Sequence, residues 1–504
     1  MRKGISLLTA CAVFVLSSAA LANGRFPRAL RLAQATDDPR FMAVYGTYGL
    51  LVSHDTGESW RHICELATGT FSGESAVLEV LPGQHWLLGT DTALMQSDNQ
   101  DCDWAPALTP EAASQLIDVT LATDGTVFVL ANKAVPPNGV QTSVWCSQNH
   151  AQSFMPYADL ALDTMGRSFT VDVAPSDVDR VYVSGINDAG GGVVAKVTDG
   201  GRTVQAFDVP LTSASAAPYI AAVDPVDPDK LFVRTDELTL LNNTITANDR
   251  LLYSKDGGQT WVPLIERYAK LLGFALSPDG HTLLVGYGDP VLYSYQVLKE
   301  DVGIYRIDTT TLDGLSGDAG APFEKISDAS STCLRWIGES VFGCFTQDQM
   351  GFEVGSVPAT DAQAAAALSF NPVLDLTKVA PLQCSVGSTA SVCDTDINGW
   401  PSVCTLLGAP CNIEDAGGTP TPMPTPTPAP APTKNKSSCG CRAVGLQEPA
   451  GGAACLSCAL FFCLIARWRR GVPSPARTRR ALSSLHCNMV QVPSKPSGST
   501  PHSA

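Results

Sequence analysis

The chain has 504 residues, of which 44% are hydrophobic, so it is long enough to bury a large core. Its 49 acidic and 33 basic residues give a net charge of −16, and this acidic excess repels phosphate backbones and anionic lipid surfaces. We therefore exclude nucleic acid as a partner and expect an acidic, well-solvated surface.

The first 22 residues have the pattern of a secretory signal peptide. Arg2 and Lys3 precede an apolar run over residues 5–16, and Ala20 and Ala22 provide the small residues of a cleavage site. We expect residues 1–22 to be removed by the export machinery, so that the mature protein is exported.

Pairs of short apolar strands joined by tight turns recur seven times in the chain. Alternating apolar residues are typical of half-buried strands, and Pro, Asp and Gly are typical of the turns between them. These inner hairpins are predicted at residues 30–45, 76–89, 116–131, 169–184, 220–234, 272–286 and 333–345. The repetition predicts an all-β fold.

A second repeated element has the pattern Ser-x-Asp-x-Gly-x-Thr-Trp. Its best copy spans residues 254–261, and less complete copies occupy residues 53–60, 97–104, 147–154 and 197–204. The aspartate can accept hydrogen bonds from the turn's own amides, and the glycines allow positive φ. The residues that define the pattern are Ser53, Asp55, Gly57, Trp60, Asp199, Gly201, Ser254, Asp256, Gly258, Thr260 and Trp261. The copies lie roughly fifty residues apart, which is the length of a four-stranded blade.

This second element resembles the Asp-box, or BNR repeat, of sialidase-type β-propellers. The resemblance implies a β-propeller over residues 25–372, and the seven inner hairpins favour a seven-bladed ring, with six or eight blades as alternatives. It also implies that the Asp-box residues stabilise turns at the periphery of the blades and take no part in catalysis.

Sialidase activity itself is not expected. That chemistry requires an arginine cluster for a carboxylate, a tyrosine nucleophile with a glutamate beside it, and an aspartate acid/base. The family's Arg-Ile-Pro signature is absent, since residues 25–28 read Arg-Phe-Pro-Arg, and we find no arginine cluster in the sequence.

Charged residues interrupt the apolar pattern of several inner strands. The innermost strands of a propeller line its central channel, so these side chains are candidates to converge there on a ligand or a cation. They are Glu79, Asp118, Asp172, Arg31 and Arg335. The alternative is a water-filled channel in which the charges satisfy one another.

Sixteen cysteines in an exported chain predict disulfides. Cys333 and Cys344 flank an inner hairpin and are expected to pair. A C-terminal cluster suggests two further bridges among Cys384, Cys393, Cys404 and Cys411. Cys64 and Cys102 both lie beside Asp-box turns, which leaves Cys146 as the odd thiol.

Residues 373–418 are predicted to form a small Cys-rich helical appendage that packs on the last blade. A short helix is expected from Trp400, with Gly408 past its end. Asp394 and Asp396 begin a pattern that resembles the first half of a calcium loop, but Thr405 occupies the place of its final glutamate. We predict a turn and a helix cap there, with no metal site and no cofactor; calcium is the alternative.

The remaining residues predict a tethered tail. Residues 419–438 read as a Pro/Thr linker. Cys439, Gly440 and Cys441, an apolar run over residues 453–466 and the arginines that end at residue 470 resemble a MYXO-CTERM surface-sorting tail. The resemblance implies that residues 439–470 are recognised by sorting machinery in the membrane, leaving the protein on the cell surface or outer membrane. An ordinary membrane anchor is the alternative, and residues 471–504 are predicted to be disordered.

These patterns favour a surface-displayed propeller that binds a glycan, peptide or protein without catalysis. Residues 242–249 and 295–303 are candidate contact segments, since propellers carry variable loops on a rigid ring. The alternatives are a glycoside hydrolase or lyase that uses Asp118 and Asp172, and a structural component of the envelope.

Overall fold

Seven four-stranded antiparallel sheets follow one another along the chain. A computed structural model describes residues 28–406, apart from residues 36, 71–76, 84, 91, 99–100, 111–113, 137–138, 162–164, 214, 290–294, 316–319, 347–349 and 395–398. The predicted leader, the Pro/Thr linker, the sorting tail with Cys439, Gly440 and Cys441, and Cys411 lie outside the described residues.

The first three blades occupy residues 29–160. Blade 1 contains β1 (Ala29–Gln34), β2 (Met42–Gly46), β3 (Gly49–Ser53) and β4 (Trp60–Ile63), and blade 2 contains β5 (Val77–Leu81), β6 (His85–Gly89), β7 (Leu94–Asp98) and β8 (Asp103–Leu108). Blade 3 contains β9 (Ser114–Leu121), β10 (Val127–Val135), β11 (Gly139–Ser147) and β12 (Met155–Leu160).

The next four blades complete the ring. Blade 4 contains β13 (Arg167–Ala174), β14 (Asp177–Ile186), β15 (Gly192–Thr198) and β16 (Thr203–Val209). Blade 5 contains β17 (Ala217–Val223), β18 (Leu231–Asp236), β21 (Asp249–Ser254) and β22 (Val262–Arg267), with an inserted hairpin of β19 (Leu238–Leu241) and β20 (Thr244–Ala247). Blade 6 contains β23 (Lys270–Leu276), β24 (Thr282–Gly288), β25 (Gly303–Asp308) and β26 (Glu324–Ser327), and blade 7 contains β27 (Ser331–Ile337), β28 (Ser340–Phe345), β29 (Val354–Pro358) and β30 (Asn371–Leu374).

The strand pairing confirms a seven-bladed β-propeller. The predicted inner hairpins form the first two strands of the seven blades. The hydrophobic core lies between neighbouring blades; one cluster, for example, joins Phe128 and Val144 of blade 3 to Val173 and Val183 of blade 4.

Where the ring closes, none of the described strands is exchanged between the first and last blades. Strand β27 packs directly against β1. The amide of Ala29 donates to Glu353 Oε2 at 3.1 Å, and the hydroxyl of Thr332 donates to the carbonyl of Ala29 at 2.6 Å. Because these atoms are buried, the two hydrogen bonds hold the ends of the ring together in a low-dielectric setting.

The segment after blade 7 crosses back onto blade 1. Strand β31 (Val379–Pro381) pairs in parallel with β4, so blade 1 has a fifth strand that the sequence did not predict. The predicted helix is present as Trp400–Leu406, and the ring of Trp400 lies 5.1 Å from that of His62 in blade 1. Trp400 also joins a buried cluster with residues of blades 1 and 7. We call residues 375–406 the strap.

The cysteine pairing differs from the expected one. Cys333 pairs with Cys344 as predicted. The predicted bridges within the C-terminal cluster are wrong for two members, because Cys393 pairs with Cys64 and Cys384 with Cys102. These bridges attach the strap to blades 1 and 2. Cys404 is also disulfide-bonded, and Cys146 is buried and takes no part in the three bridges.

Among the residues that the structure describes, three short helices lie outside the blades. They are α1 (Glu65–Thr68), α2 (Ala359–Ala364) and α3 (Trp400–Leu406), with 3-10 turns at Thr309–Gly314, Leu376–Lys378 and Thr389–Asp394. Within the described ranges, no helix is both long enough and apolar enough to cross a membrane.

Candidate functional site

The strand directions separate the two faces of the ring. In blades 1 to 5 the third strand ends at a copy of the repeated turn, and we call this side of the ring the turn face. The connections between second and third strands emerge on the opposite side, which we call the loop face. In blade 5, residues 237–248 therefore lie on the loop face and residues 254–261 on the turn face.

The predicted turn residues form closed sets of hydrogen bonds. In blade 5, Ser254 Oγ accepts from the amide of Gly258 at 2.8 Å, and Asp256 accepts from the amide and hydroxyl of Thr260 at 2.8 and 2.6 Å. Gly258 has a φ of 96°, which is why glycine is required there. The carboxylate of Asp256 thus accepts its hydrogen bonds from within its own turn.

The copies in blades 1 and 4 repeat this geometry in whole or in part. Asp55 accepts from Ser59 at 2.9 and 2.5 Å, the amide of Gly57 donates to Ser53 Oγ at 2.9 Å, and the indole of Trp60 donates to the carbonyl of Gly57. In blade 4 the same role falls to Asp199, which accepts from Thr203, with Gly201 at a φ of 86°. Trp261 lies against the turn of blade 5, in contact range of Gly258.

The inner strands bring the predicted charged residues into one electrostatic group. Arg335 Nη2 lies 3.2 Å from Glu79 Oε2, and Arg335 Nη1 donates to the carbonyl of Leu32 at 3.1 Å. The charges of Glu79, Asp118 and Arg335 all act on Arg31. These residues belong to the first strands of blades 7, 2, 3 and 1, which line the central channel.

Most inner strands also contain a β-bulge near their start. The pairing with the second strand shifts at Leu30, Ile117, Phe169, Ala221, Leu272 and Thr332, in six of the seven blades. A bulge turns the following side chains relative to the sheet. Arg31 and Asp118 directly follow their bulges, which positions them toward the channel.

Asp118 and Asp172 are carboxyl groups that titrate near neutrality. Burial raises the pKa of each to about 7, although the amide of Val171 donates to Asp118 and the amide of Val173 donates to Asp172. The charge of a neighbouring acid also opposes ionisation, that of Asp172 at Asp118 and that of Glu79 at Asp172.

Arg234 is a member of this group that the sequence did not identify. It lies on β18, and its guanidinium stacks 4.3 Å from the ring centre of Tyr219. Phe169 follows at 5.2 Å from Tyr219, and Arg167 at 5.5 Å from Phe169, so rings and guanidiniums alternate. A charge within the apolar strand Leu231–Asp236 is the signal in the sequence, but this strand is the second of its blade, whereas channel residues are expected on first strands.

The described residues contain no candidate metal centre. No group of three or more His, Cys, Asp or Glu side chains within the described ranges is arranged to hold a metal ion. The stretch with the partial calcium-loop pattern falls mainly on residues 394–398, whose side chains lie outside the described set.

On the loop face, the two predicted contact segments pair with each other. Thr246 forms a parallel bridge with Gln296; the amide of Ala247 donates to the carbonyl of Gln296, and the amide of Gln296 donates to the carbonyl of Ile245, both at 2.9 Å. We call the hairpin β19–β20 together with residues 295–302 the outgrowth.

Apolar side chains are exposed on one side of the hairpin. Leu240 and Ile245 are directly opposite each other across the two strands and are 68% and 49% exposed, and Leu238 is 39% exposed. The turn between the strands is formed by Asn242 and Asn243 with φ of 50° and 66°, as a two-residue hairpin turn requires.

A buried ionic cluster anchors the base of the outgrowth. Glu237 accepts from Arg250 Nε and Nη2 at 3.0 and 2.7 Å. Lys270 lies between Asp249, at 3.0 Å, and Asp236. Burial raises the pKa of Asp249 to about 6, although the charge of Lys270 opposes the shift. These ion pairs fix Glu237 just before the hairpin and Asp249 just after it, so the hairpin projects from a rigid base.

One pocket lies away from these charged residues. A cavity of about 470 Å³ between blades 2 and 3 is lined by residues that include His85, Gln96, Pro106, His150 and Gln152. It contains none of the inner-strand acids or arginines, so the chemistry of the channel is not located in it.

Comparisons with known proteins find similarity only to solved structures, at low sequence identity. No protein-family model matches it, and no curated protein matches it. Among solved structures it is similar to an ancestral GH74 enzyme at 17% identity, covering 61% of this chain and 39% of that chain with a TM-score of 0.43. The chain thus spans about two fifths of that enzyme's length.

Two further solved structures are similar at low identity. An oligogalacturonate lyase in complex with manganese is 8% identical, with 64% of this chain and 86% of that chain covered and a TM-score of 0.41. The β-propeller domain of the Trilobed protease from Pyrococcus furiosus is 10% identical, with 66% and 82% covered and a TM-score of 0.33. The blade count therefore rests on the strand pairing of this chain.

Proposed function

We propose that this protein is an exported, surface-displayed β-propeller of the Asp-box type that binds a protein partner through the outgrowth on its loop face. The leader pattern over residues 1–22 and the MYXO-CTERM-like pattern over residues 439–470 support export and display. The repeated turns at residues 53–60 and 254–261 support the Asp-box assignment.

The observation that carries this proposal is the exposed apolar surface of the outgrowth. Leu240 and Ile245 form a cross-strand pair that faces solvent, while the base of the hairpin is fixed by buried ion pairs. Exposed apolar side chains on a rigid support are typical of protein-binding sites. Strand β19 pairs on one side only among the described strands, which favours a partner that adds an extended segment to this edge.

Affinity enrichment with matched variants tests this proposal. The purified protein, Leu240→Asp/Ile245→Asp and Val226→Asp are each used to enrich proteins from the cells that produce the chain. Val226 is 67% exposed in the turn between β17 and β18 on the turn face, so its substitution is a control for surface charge. Partners retained by the wild type and Val226→Asp but lost with the double variant support the proposal; identical sets with all three proteins contradict it.

A second candidate function is a glycoside hydrolase or lyase that uses Asp118 and Asp172. The pKa of about 7 of both carboxyls supports it, because a general acid or base works best when it titrates near the working pH. Incubation with a panel of polysaccharides and sialosides tests it. Released sugar that is absent with Asp118→Asn and Asp172→Asn supports the enzyme, and no release from any substrate favours the binding protein.

A further inference from the structure

The cavity between blades 2 and 3 is lined by polar side chains that do not bond to the rest of the protein. Its volume is about 470 Å³, and it lies on the turn face, between the inner turn of blade 2 and the repeated turn of blade 3. Within the described ranges, the side chains of Gln96, His150 and Gln152 form no hydrogen bond and no ion pair. Their donors and acceptors are therefore available to a ligand.

Gln152 differs from the residues at the equivalent position of other blades. This position lies three residues after the turn aspartate, whose place Asn149 takes in blade 3. In blade 5 it is also a glutamine, Gln259, and its Nε2 donates to the carbonyl of Asp256 at 2.8 Å. In blade 4, Arg202 donates to the corresponding carbonyl at the same distance. The carboxamide of Gln152 makes no such bond and lines the cavity instead.

His150 occupies a backbone position that favours glycine. Its φ is 56°, and the equivalent residues of blades 4 and 5 are Gly200 and Gly257, with φ of 62° and 74°. A side chain strains a backbone of positive φ, so the turn of blade 3 is less stable than it would be with glycine. Residues held in such conformations cluster at functional sites, and here the strained residue lines the cavity.

His85 contributes a hydrogen-bond acceptor of fixed orientation. Its Nδ1 donates to the carbonyl of Ser97 at 3.1 Å, since a carbonyl oxygen can only accept. In the neutral ring Nε2 is then an acceptor, and within the described ranges it forms no hydrogen bond. The ring is half-buried and lines the same cavity.

The composition of the lining decides which ligand fits. Among the described residues that line the cavity there is no Asp, Glu, Lys or Arg, so none of them would balance the charge of an ionic ligand. Its apolar members are prolines and alanines, among them Pro82 and Pro106, and they offer no deep pocket for an apolar side chain of a peptide. Carboxamides and neutral imidazoles both donate and accept, as hydroxyl groups do.

We propose that this cavity binds a neutral saccharide, with one or two sugar rings in contact with the protein. The carboxamides of Gln96 and Gln152 and the ring of His150 bond to hydroxyl groups, His85 Nε2 accepts from another, and the prolines pack against the apolar face of a ring. A cavity of this volume is of the size that holds a small ligand. The site lies on the turn face and does not depend on the function proposed for the outgrowth.

Saturation-transfer NMR with the purified protein tests the proposal. The probes are the methyl glycosides of glucose, galactose, mannose and N-acetylglucosamine, with methyl glucuronide as the charged counterpart and N-acetylglycinamide as a peptide analogue without a ring. We expect at least one neutral glycoside to bind with a dissociation constant of about 1 mM, and the other two classes to bind more weakly. Absence of binding by every neutral glycoside, or tighter binding of the glucuronide or the peptide analogue, overturns the proposal.

Matched glutamine variants locate the binding. Gln96→Ala and Gln152→Ala are each expected to weaken glycoside binding by about fivefold or more, because each removes hydrogen bonds to the ligand. Gln259→Ala makes the same change at the equivalent position of blade 5, outside the cavity, and is expected to bind like the wild type. Unchanged binding by both cavity variants, or an equal loss with Gln259→Ala, overturns the assignment of the site.

Replacement of His150 separates a role in binding from a role in folding. His150→Gly relieves the strain of the turn, so we expect this variant to melt at a higher temperature than the wild type and to bind the glycoside more weakly. A purely structural histidine would not combine these two effects. A variant that binds as tightly as the wild type overturns the role of His150 in the site.

Discussion

Arg335 of blade 7 and Glu79 of blade 2 form an ion pair of 3.2 Å that spans the inner strand of blade 1. Since Arg335 also donates to Leu32 of that strand, one side chain connects three consecutive blades at the place where the ring closes. This matters because the first and last blades exchange none of the strands that the structure describes. The junction depends on side chains and on the strap.

Replacement of Arg335 should weaken the junction modestly. Arg335→Met removes the ion pair and the bond to Leu32, and because the side chains of Arg335 and Glu79 are 41% and 19% exposed, we expect a loss of about 1 kcal/mol in the free energy of unfolding. Chemical denaturation measures it. Arg40→Met, which breaks an ion pair within one exposed turn, should leave the midpoint unchanged. An Arg335→Met protein as stable as the wild type would show that the pair does not support the junction.

The two bridges of the strap should contribute more to stability than the bridge of the hairpin. Cys64–Cys393 and Cys102–Cys384 join residues 329 and 282 positions apart, whereas Cys333–Cys344 joins residues 11 apart. While the other strap bridge remains, each one closes a loop of about 47 residues, made of residues 64–102 and 384–393. Loop-closure entropy therefore predicts a loss of about 4 kcal/mol when either strap bridge is replaced by serines, and about 3 kcal/mol for the hairpin bridge. Denaturation of the three double-serine variants tests this order. A hairpin variant less stable than both strap variants would contradict it.

Substitution of Asp256 should affect stability and leave binding unchanged. Partial burial opposes its ionisation, but the hydrogen bonds from Thr260 and Ser254 outweigh this and lower the pKa of Asp256. Asp256→Ala removes those bonds, so we expect a loss of about 1–2 kcal/mol. Because the folded pKa lies below the unfolded value, the loss should be fully present above the unfolded pKa and should disappear as the pH falls through the folded one.

The same variant separates structural from functional roles on the turn face. Asp256→Asn keeps one acceptor oxygen and should be intermediate in stability. If Asp256→Ala abolished partner binding while its unfolding midpoint matched the wild type, a purely structural role for the turn would be refuted.

Neutral substitutions at Asp118 and Asp172 should flatten the dependence of stability on pH. The folded pKa of each is raised to about 7, so between the unfolded pKa and about 7 the folded protein binds more protons than the unfolded chain. Stability contributed by these groups therefore falls as the pH rises through this window. We expect Asp118→Asn/Asp172→Asn to melt higher than the wild type near pH 8 and to show a smaller change between about pH 5 and pH 8.

His62 provides an internal check on this measurement, because its contribution to stability changes with pH in the opposite direction. Burial lowers its pKa to about 4, so its contribution is lost as the pH falls below its unfolded value. Both proteins retain His62, and the difference between their melting curves isolates the aspartates. Parallel curves for the two proteins would mean that the carboxyls do not titrate near 7.

The blades could be predicted from the sequence because their signals are local. Each signal lies within about a dozen residues of sequence. The turn at Asp38 and Pro39 and the hairpin bridged by Cys333 and Cys344 are examples, and both are present. The pairing of Cys64 with Cys393 was not predictable, because it exists only once the ring has closed and the strap has crossed it. Strand β31 has three residues, too few for any periodicity to show.

The channel group was predictable only in part for a similar reason. Charges on first strands, such as Glu79 and Asp118, interrupt an apolar pattern and were recognisable. Arg234 acts on the same group from a second strand, and Arg31, whose pKa its charge lowers, is about two hundred residues away in the sequence. Which charges meet depends on how seven blades are arranged around the axis, and no local pattern contains that information.

Hydrogen–deuterium exchange of the protein with and without its enriched partner tests the central claim most directly. If the outgrowth is the docking surface, amides of residues 238–247 and 295–302 should exchange more slowly in the complex, while those of residues 53–60 and 254–261 on the turn face should not change. Protection confined to the turn face, with none in the outgrowth, would contradict the proposed binding surface.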